Sequence, residues 1–189
     1  MAIPQYGLES HGNILSNVIK NDGFREITVI TAADDSHTLT ASDGGVILIS
    51  AALASGAVIK LPNTSAANVG LAYNILYTGT MAAASKIQLE DGEPGVFAGV
   101  ITQNRCGNGA GVADAVAVNR TTVVCTVAQA EQSIELDEND VTFGGAIGTN
   151  LLFRYVSPTV VLVTGDILVN AATTALDGLQ GTMFTGTGY

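Results

Sequence analysis

The chain has 189 residues, of which 47% are hydrophobic and only 13% are charged, and its formal net charge is −10. Globular proteins usually contain about 25% charged residues, so this composition argues against a free cytosolic enzyme and against a disordered chain. The seven Lys and Arg residues are scattered, which argues against nucleic-acid binding because that binding needs clustered cations. With 22 glycines, the composition is typical of a β-rich protein that hides much of its surface in an assembly.

Two kinds of targeting segment are not expected. No run of about 18 strongly apolar residues without charges occurs, so we predict no membrane span. The first twelve residues lack the basic region and the apolar region of a signal peptide, which predicts synthesis in a cytoplasm.

Residues 1–25 are predicted to form an N-terminal arm. Four apolar residues in it have the spacing of one face of a short helix, and an Asn-Asp-Gly sequence at 21–23 would end that helix. These four are Ile14, Leu15, Val18 and Ile19. A helix this short needs a packing partner, which is either its own domain or a neighbouring subunit.

Residues 26–169 are predicted to form a β domain. It begins with the β-branched run Ile27–Ile30. The segment 38–62 then predicts a hairpin, in which 46–49 and 58–61 are the strands, a turn containing Asp43 precedes the first strand, and Pro62 ends the second. Proline ends a strand because it has no N–H group to donate.

Further strands are predicted at a spacing of about ten residues, which is typical of a sandwich or barrel. They lie at 71–78, 86–90, 96–102, 116–127, 141–143, 150–156 and 159–164. We therefore predict a mainly β fold: a single compact β-sandwich or β-barrel-like domain between the extended arm and an extended C-terminal tail, 170–189, whose only charge is Asp177.

The side chains that could do chemistry are sparse. The Gly-rich run 107–111 is not followed by the Lys-Ser/Thr pair of a phosphate loop, so we predict that 103–115 form a surface loop. Residues 131–140 are predicted to form a solvated acidic turn, although Asp137, Glu138 and Asp140 could bind Ca²⁺ weakly. We predict no cofactor and no metal site.

His37 follows Asp34 and Asp35, but adjacent residues in a turn rarely converge as an acid–base set, so we predict a polar turn before a strand. The two cysteines, Cys106 and Cys125, are predicted to be reduced thiols, with a disulfide as the alternative. These observations predict that the protein is not an enzyme.

The motif Thr38-Leu39-Thr40 with Asp43-Gly44-Gly45, followed by a hydrophobic strand, a small-residue loop and a strand ending in Leu61-Pro62, resembles a β-rich module of tailed-phage structural proteins. The module occurs in head decoration (capsid cement) proteins and in tail-fibre-associated domains. The resemblance covers roughly 38–97 and 141–169. Residues 1–30 and 170–189 lie outside it, and the chain lacks the Trp that such proteins often carry near the end.

The resemblance implies a virion structural protein, made in the host bacterial cytoplasm, that binds the major capsid protein on the capsid exterior as a homotrimer. The alternative is a tail-tip or fibre domain that recognises a host glycan. The predicted capsid contacts in the arm are Ile3, Tyr6, Leu8, Ile14, Leu15, Val18 and Ile19. The predicted subunit contacts in the tail are Leu176, Leu179, Met183, Phe184 and Tyr189.

Overall fold

The computed structural model describes residues 27–31, 36–43, 45–51, 53, 56–79, 85–90, 94–105, 120–136, 144–169 and 184–185. Its strands form two sheets, one of seven strands and one of five, whose inner side chains make one hydrophobic core. The predicted mainly β fold is confirmed, and of the two predicted forms the two facing sheets correspond to the sandwich.

The first six strands alternate between the two sheets. They are β1 (Ile27–Ile30), β2 (Ser36–Thr38), β3 (Val46–Ile49), β4 (Val58–Leu61), β5 (Ala72–Tyr77) and β6 (Ser85–Leu89). Strands β1, β3 and β5 pair in parallel in the larger sheet, and β2, β4 and β6 pair in parallel in the smaller one. This part of the chain therefore makes three turns of a flattened coil, in which each crossover runs through the opposite sheet.

The predicted hairpin at 38–62 is wrong. Its two strands, β3 and β4, lie in different sheets and face each other across the core instead of pairing edge to edge. The alternation of buried and outward residues in each strand, such as Ile47 and Ile49 in β3, specifies a core face but no pairing partner. The small residues between the strands carry the chain from one sheet to the other.

The second half of the chain closes one end of this coil. Its strands are β7 (Val96–Arg105), β8 (Arg120–Cys125), β9 (Ser133–Leu136), β10 (Asn150–Ser157), β11 (Val160–Val169) and β12 (Phe184–Thr185). Strand β10 adds antiparallel to β5, and β9 adds antiparallel to β6. The sheet orders are β1-β3-β5-β10-β11-β7-β8 and β12-β9-β6-β4-β2.

The strand bounds agree with the predicted ones in the middle of the chain and differ later. Strands β7 and β11 continue beyond the predicted ends at 102 and 164, because they pair with each other over ten residues. The predicted surface loop at 103–115 is therefore wrong for residues 103–105, which form the end of β7. The predicted acidic turn at 131–140 is wrong for Ser133–Leu136, which forms β9 because Ile134 and Leu136 are buried on the inner side of the sheet. Single turns of 3-10 helix lie at Ala66–Asn68 and Val127–Gln129.

Aromatic side chains fill the core and tie the larger sheet to loops that follow strands of the smaller one. The rings of Tyr73 and Tyr155 lie 6.3 Å apart edge to face. The Tyr155 hydroxyl donates to the Pro62 carbonyl oxygen at 2.5 Å, and the Tyr73 hydroxyl donates to the Thr40 carbonyl oxygen at 2.7 Å. Each hydroxyl is therefore buried with a partner, as the interior requires.

The larger sheet contains two positions that only glycine fits. Gly99 on β7 has φ +144°, and a Cβ there would lie 1.9 Å from the Val163 carbonyl oxygen. Gly165 on β11 has φ +143°, and its Cβ would lie 2.1 Å from the Asn150 carbonyl oxygen. Neighbouring backbones therefore approach closely at the centre of this sheet.

The arm, residues 1–25, lies outside the described residues, and so does the tail apart from β12. Residues Phe184 and Thr185 pair with Ile134 and Ser133 of the same chain. Among the described residues, no helix is long and apolar enough to cross a membrane.

Candidate interaction surface

The outer surface of the seven-stranded sheet is unusually apolar. Its strands alternate, so that Ile47 and Ile49 are buried while Val46 and Leu48 point outward. We call the outward residues of this sheet the apolar face. They are every second residue of the seven strands, counted from Ile27, Val46, Ala72, Val96, Thr122, Asn150 and Val160.

Most of the exposed large hydrophobic side chains lie on the apolar face. In the described part of the chain eight such side chains are exposed, and five belong to this face. Those five are Ile27, Val29, Val100, Val124 and Val156, with exposed fractions between 45% and 56%. A single exposed hydrophobic residue is ordinary, whereas a cluster on one face is typical of an interaction surface.

Four of these five residues lie near two opposite edges of the sheet, and Val156 lies on the central strand β10. At one edge Ile27 is in register with Val46 on the neighbouring strand, and Val29 with Leu48. At the other edge Val100 is directly opposite Val124. Cross-strand apolar pairs of this kind form continuous patches on a sheet surface.

The described side chains of the apolar face include only two charged ones, Arg154 on β10 and Asp166 on β11. Their charges, +1 and −1, sum to zero, whereas the whole chain has a net charge of −10. Asp166 also accepts a hydrogen bond from Asn104 Nδ2 at 2.8 Å. The acidity of the protein is therefore located elsewhere.

The outer surface of the five-stranded sheet is different. Two rows of residues in register cross it, and we call them the polar face: Ser36, Val58, Lys86 and Glu135; and Thr38, Lys60, Gln88 and Ser133. Seven of these eight residues are polar, and Lys86 is opposite the oppositely charged Glu135. Apart from Ser133, which is buried, this is the alternation expected of an antiparallel or mixed sheet with one solvated face.

The motif that carries the phage resemblance is held by hydrogen bonds to Asp43. We call Asp43 with its two donors, Thr40 and Thr28, the clasp. The Asp43 carboxylate accepts hydrogen bonds from the Thr40 N–H at 2.5 Å and the Thr40 hydroxyl at 2.8 Å. It also accepts one from the Thr28 hydroxyl on β1 at 3.3 Å. The clasp holds the turn between β2 and β3 against the edge of the larger sheet.

The environment of Asp43 favours its ionised form. Partial burial raises the pKa of Asp43. The hydrogen bonds from Thr40 and Thr28, together with the nearby His37, lower the pKa by a larger amount, so that it lies below its usual value. His37 lies in strand β2, in register with Ile59, and not in a polar turn before a strand as predicted. Asp34 and Asp35 lie outside the described residues.

Cys125 is a buried free thiol. Its Sγ donates to the Phe97 carbonyl oxygen at 3.2 Å. Burial, and secondarily the carboxylate of Glu131, raise the pKa of Cys125 to about 11, so the thiol is protonated and a poor nucleophile at neutral pH. Cys106, its predicted alternative partner, lies outside the described residues.

Within the ranges that the structure describes, no group of three or more His, Cys, Asp or Glu residues could hold a metal ion. Asp137, Glu138 and Asp140 lie outside these ranges. So do residues 106–115 of the predicted Gly-rich loop and the predicted strand at 141–143. All of the predicted capsid contacts in the arm lie outside them too, as do Leu176, Leu179, Met183 and Tyr189 of the tail. Phe184 is placed in β12, on the sheet of its own chain.

The apolar face was not predicted from the sequence, although a signal for it is present there. The runs Val46–Ile49 and Val160–Val163 are apolar at every position, not at every second one. Such a run is typical of a strand that is covered on both sides, and alternation alone would predict polar outward residues.

Comparisons with known proteins add nothing to this description. No family model matches the chain, and no curated protein or solved structure matches it either.

Proposed function

We propose that this protein is a virion structural protein that binds the outer surface of an assembled phage capsid and stabilises it by bridging neighbouring capsomers. The observation that carries the proposal is that a β domain with few charges presents an extended apolar sheet face, which is typical of a protein that works within an assembly. The resemblance of the 38–62 segment to phage decoration modules supports the same assignment. The partner would be the major capsid protein, and no catalysis is proposed.

The mechanism is interfacial. Each subunit would bury apolar surface across a junction between capsomers, and many copies on one symmetric shell would add up to strong attachment although each contact is modest. A protein that binds only the assembled, expanded lattice stabilises that lattice by linkage.

The charge of the chain supports a place on the capsid exterior. A net charge of −10 opposes close approach to packaged DNA, which is itself strongly negative. On the exterior the same charge keeps decorated particles apart and soluble.

The arm is the proposed capsid contact, through Leu15 and Ile19 among its apolar residues. The test is co-sedimentation of the full-length chain with expanded shells that lack a decoration protein. We expect Leu15→Asp with Ile19→Asp to abolish binding. The matched control is Asn13→Asp with Asn17→Asp, which adds the same charge at the same spacing outside the apolar stripe, and we expect it to bind normally.

The outcomes separate two parts of the proposal. If the full-length chain does not co-sediment with shells, the proposed function is wrong. If the full-length chain and the Leu15→Asp/Ile19→Asp variant both bind at full occupancy, capsid binding stands and the role of the arm is wrong. Circular dichroism of each variant establishes that the β domain has folded.

A further inference from the structure

We infer that the apolar face is a self-association surface, and that its occupant is the apolar face of a second copy of this chain. This goes beyond the proposed function, because it concerns an interface that forms in solution without any capsid. It also differs from the homotrimer that the resemblance implies, because two faces that cover each other form a two-fold pair. Sheets that pack face to face, about 10 Å apart, do so through side chains of the kind that this face presents.

The first argument is the sequence of the strands. Strand β3 is apolar on both sides, with Ile47 and Ile49 buried in the core and Val46 and Leu48 outward. The start of β11 has the same property, with Val161 and Val163 inside and Val160 and Leu162 outside. Strands of this composition are typical of sheets that are covered on both faces.

The second argument is charge. Two chains with a net charge of −10 each repel one another unless the surfaces in contact are close to neutral. The described side chains of the apolar face contribute one positive and one negative charge, Arg154 and Asp166, and therefore no net charge. The described part of this face therefore adds no net repulsion when a second copy approaches.

The third argument is area. Seven strands spaced about 4.8 Å apart span roughly 30 Å, and about five residues per strand span roughly 17 Å, which gives a footprint of roughly 500 Å² on each copy. Two copies would bury roughly 1,000 Å² together, which is the lower limit of a specific protein interface. We therefore expect association in the micromolar range, not an obligate dimer.

The register of the strands fits a two-fold pairing of two copies. On β10 and β11, Arg154 is opposite Leu162, and Asp166 is opposite Asn150, so the two charges lie on either side of the row that contains Leu152 and Thr164. We place a two-fold axis parallel to that row, midway between the seven-stranded sheets of the two copies. This axis brings Arg154 of each copy to a position one strand away from Asp166 of the other copy. The pairing is isologous, and it forms two ion pairs.

The test is sedimentation equilibrium of the full-length chain over about 1 to 200 µM. We expect a monomer–dimer equilibrium in the unmodified chain. Arg154→Asp should raise its dissociation constant at least about tenfold, because two like charges then face each other in each pair. Asp166→Arg should have a similar effect.

The double variant Arg154→Asp/Asp166→Arg should restore the dissociation constant to within about threefold of the original. Arg154 and Asp166 of one chain are four residues apart along neighbouring strands, roughly 13 Å, so a pair within one chain cannot explain such a rescue. The matched control is Lys86→Asp on the polar face, which makes the same change in charge and should leave the dissociation constant unchanged.

Several results would overturn the inference. They are a monomer at every concentration, a trimer as the associated species, an effect of Lys86→Asp as large as that of Arg154→Asp, and failure of the double variant to associate. A monomer that associates only after residues 1–20 are removed would show that the chain's own arm occupies the face, and that result also overturns the inference.

Discussion

The outer faces of the two sheets cover the same core and differ in what they present to the surroundings. The apolar face carries five of the eight exposed large hydrophobic side chains in the described part of the chain. The polar face has one apolar residue, Val58, in its two rows of four. Most inner residues of both sheets are apolar, so folding alone does not require the difference.

The difference indicates which surface of the described domain is suited to contact with another molecule. Inner positions are selected to fill the core, and they are apolar in any stable sandwich. Outward positions are free to be polar, as they are on the smaller sheet. Where outward positions are apolar instead, we infer contact with another molecule, because an uncovered apolar patch promotes aggregation.

The largest loss of stability that we expect comes from a substitution in the strands that carry the apolar face. Gly99→Ala should lower the free energy of unfolding by about 4 kcal/mol, because its Cβ would meet the Val163 carbonyl oxygen as well as strain the backbone. Gly70→Ala is the control, because Gly70 also has a positive φ, +95°, but has open space around it. We expect it to cost about 1 kcal/mol. Urea denaturation measures both values, and equal losses would contradict the role of close backbone approach.

The next effect is a difference in stability between substitutions on the inner and outer sides of strand β5. Ile75→Ala should lower the free energy of unfolding by about 3 kcal/mol, because Ile75 is fully buried in the core. Leu76→Ala, on the apolar face, should cost about 1 kcal/mol or less at a concentration where the chain is monomeric. Denaturation at low protein concentration checks this. A larger loss for Leu76→Ala would mean that the apolar face is already covered within one chain.

The smallest effect concerns the clasp at the edge of the apolar face. Because the pKa of Asp43 is lower in the folded state than its usual value, ionised Asp43 stabilises the fold above about pH 4, and this stabilisation is lost as the pH falls through the folded-state pKa. Asp43→Asn should therefore cost about 1 kcal/mol at pH 7 and progressively less in acid.

Denaturant titrations of the unmodified chain and Asp43→Asn at pH 7 and at about pH 2.5 measure this dependence. Glu90→Gln is the control, because Glu90 is an exposed residue directly after β6, and it should change stability little at either pH. A cost of Asp43→Asn that does not change with pH would show that the charge of Asp43 contributes nothing.

Much of the fold could be predicted from the sequence. Short β-branched runs separated by turn residues indicated the strands, and Ile27–Ile30 and Ala72–Tyr77 lie where they were expected. The pairing of the strands could not be predicted. The alternation of residues specifies which side of a strand faces the core, but it does not specify which strand lies beside it. The parallel coil was therefore taken for a hairpin, and β9 for a turn because of its acidic surroundings.

Less of the candidate site could be predicted. Asp43 was expected in a turn, but its hydrogen bond to Thr28 joins residues that lie fifteen positions apart and depends on the coil. The apolar face depends on registers such as Val100 opposite Val124, which join strands far apart in the sequence. The predicted contacts in the arm stay predictions, and so do those in the tail.

The central claim is that this protein acts through its surfaces on the exterior of a capsid. Its most direct test is quantitative mass spectrometry of purified particles of a tailed phage that encodes the chain, with peptides of the major capsid protein as the internal standard. We predict a copy number in a fixed ratio to the major capsid protein, with the chain accessible to protease added to intact particles. A copy number as low as that of tail-tip proteins, or absence from the particles, would contradict the account.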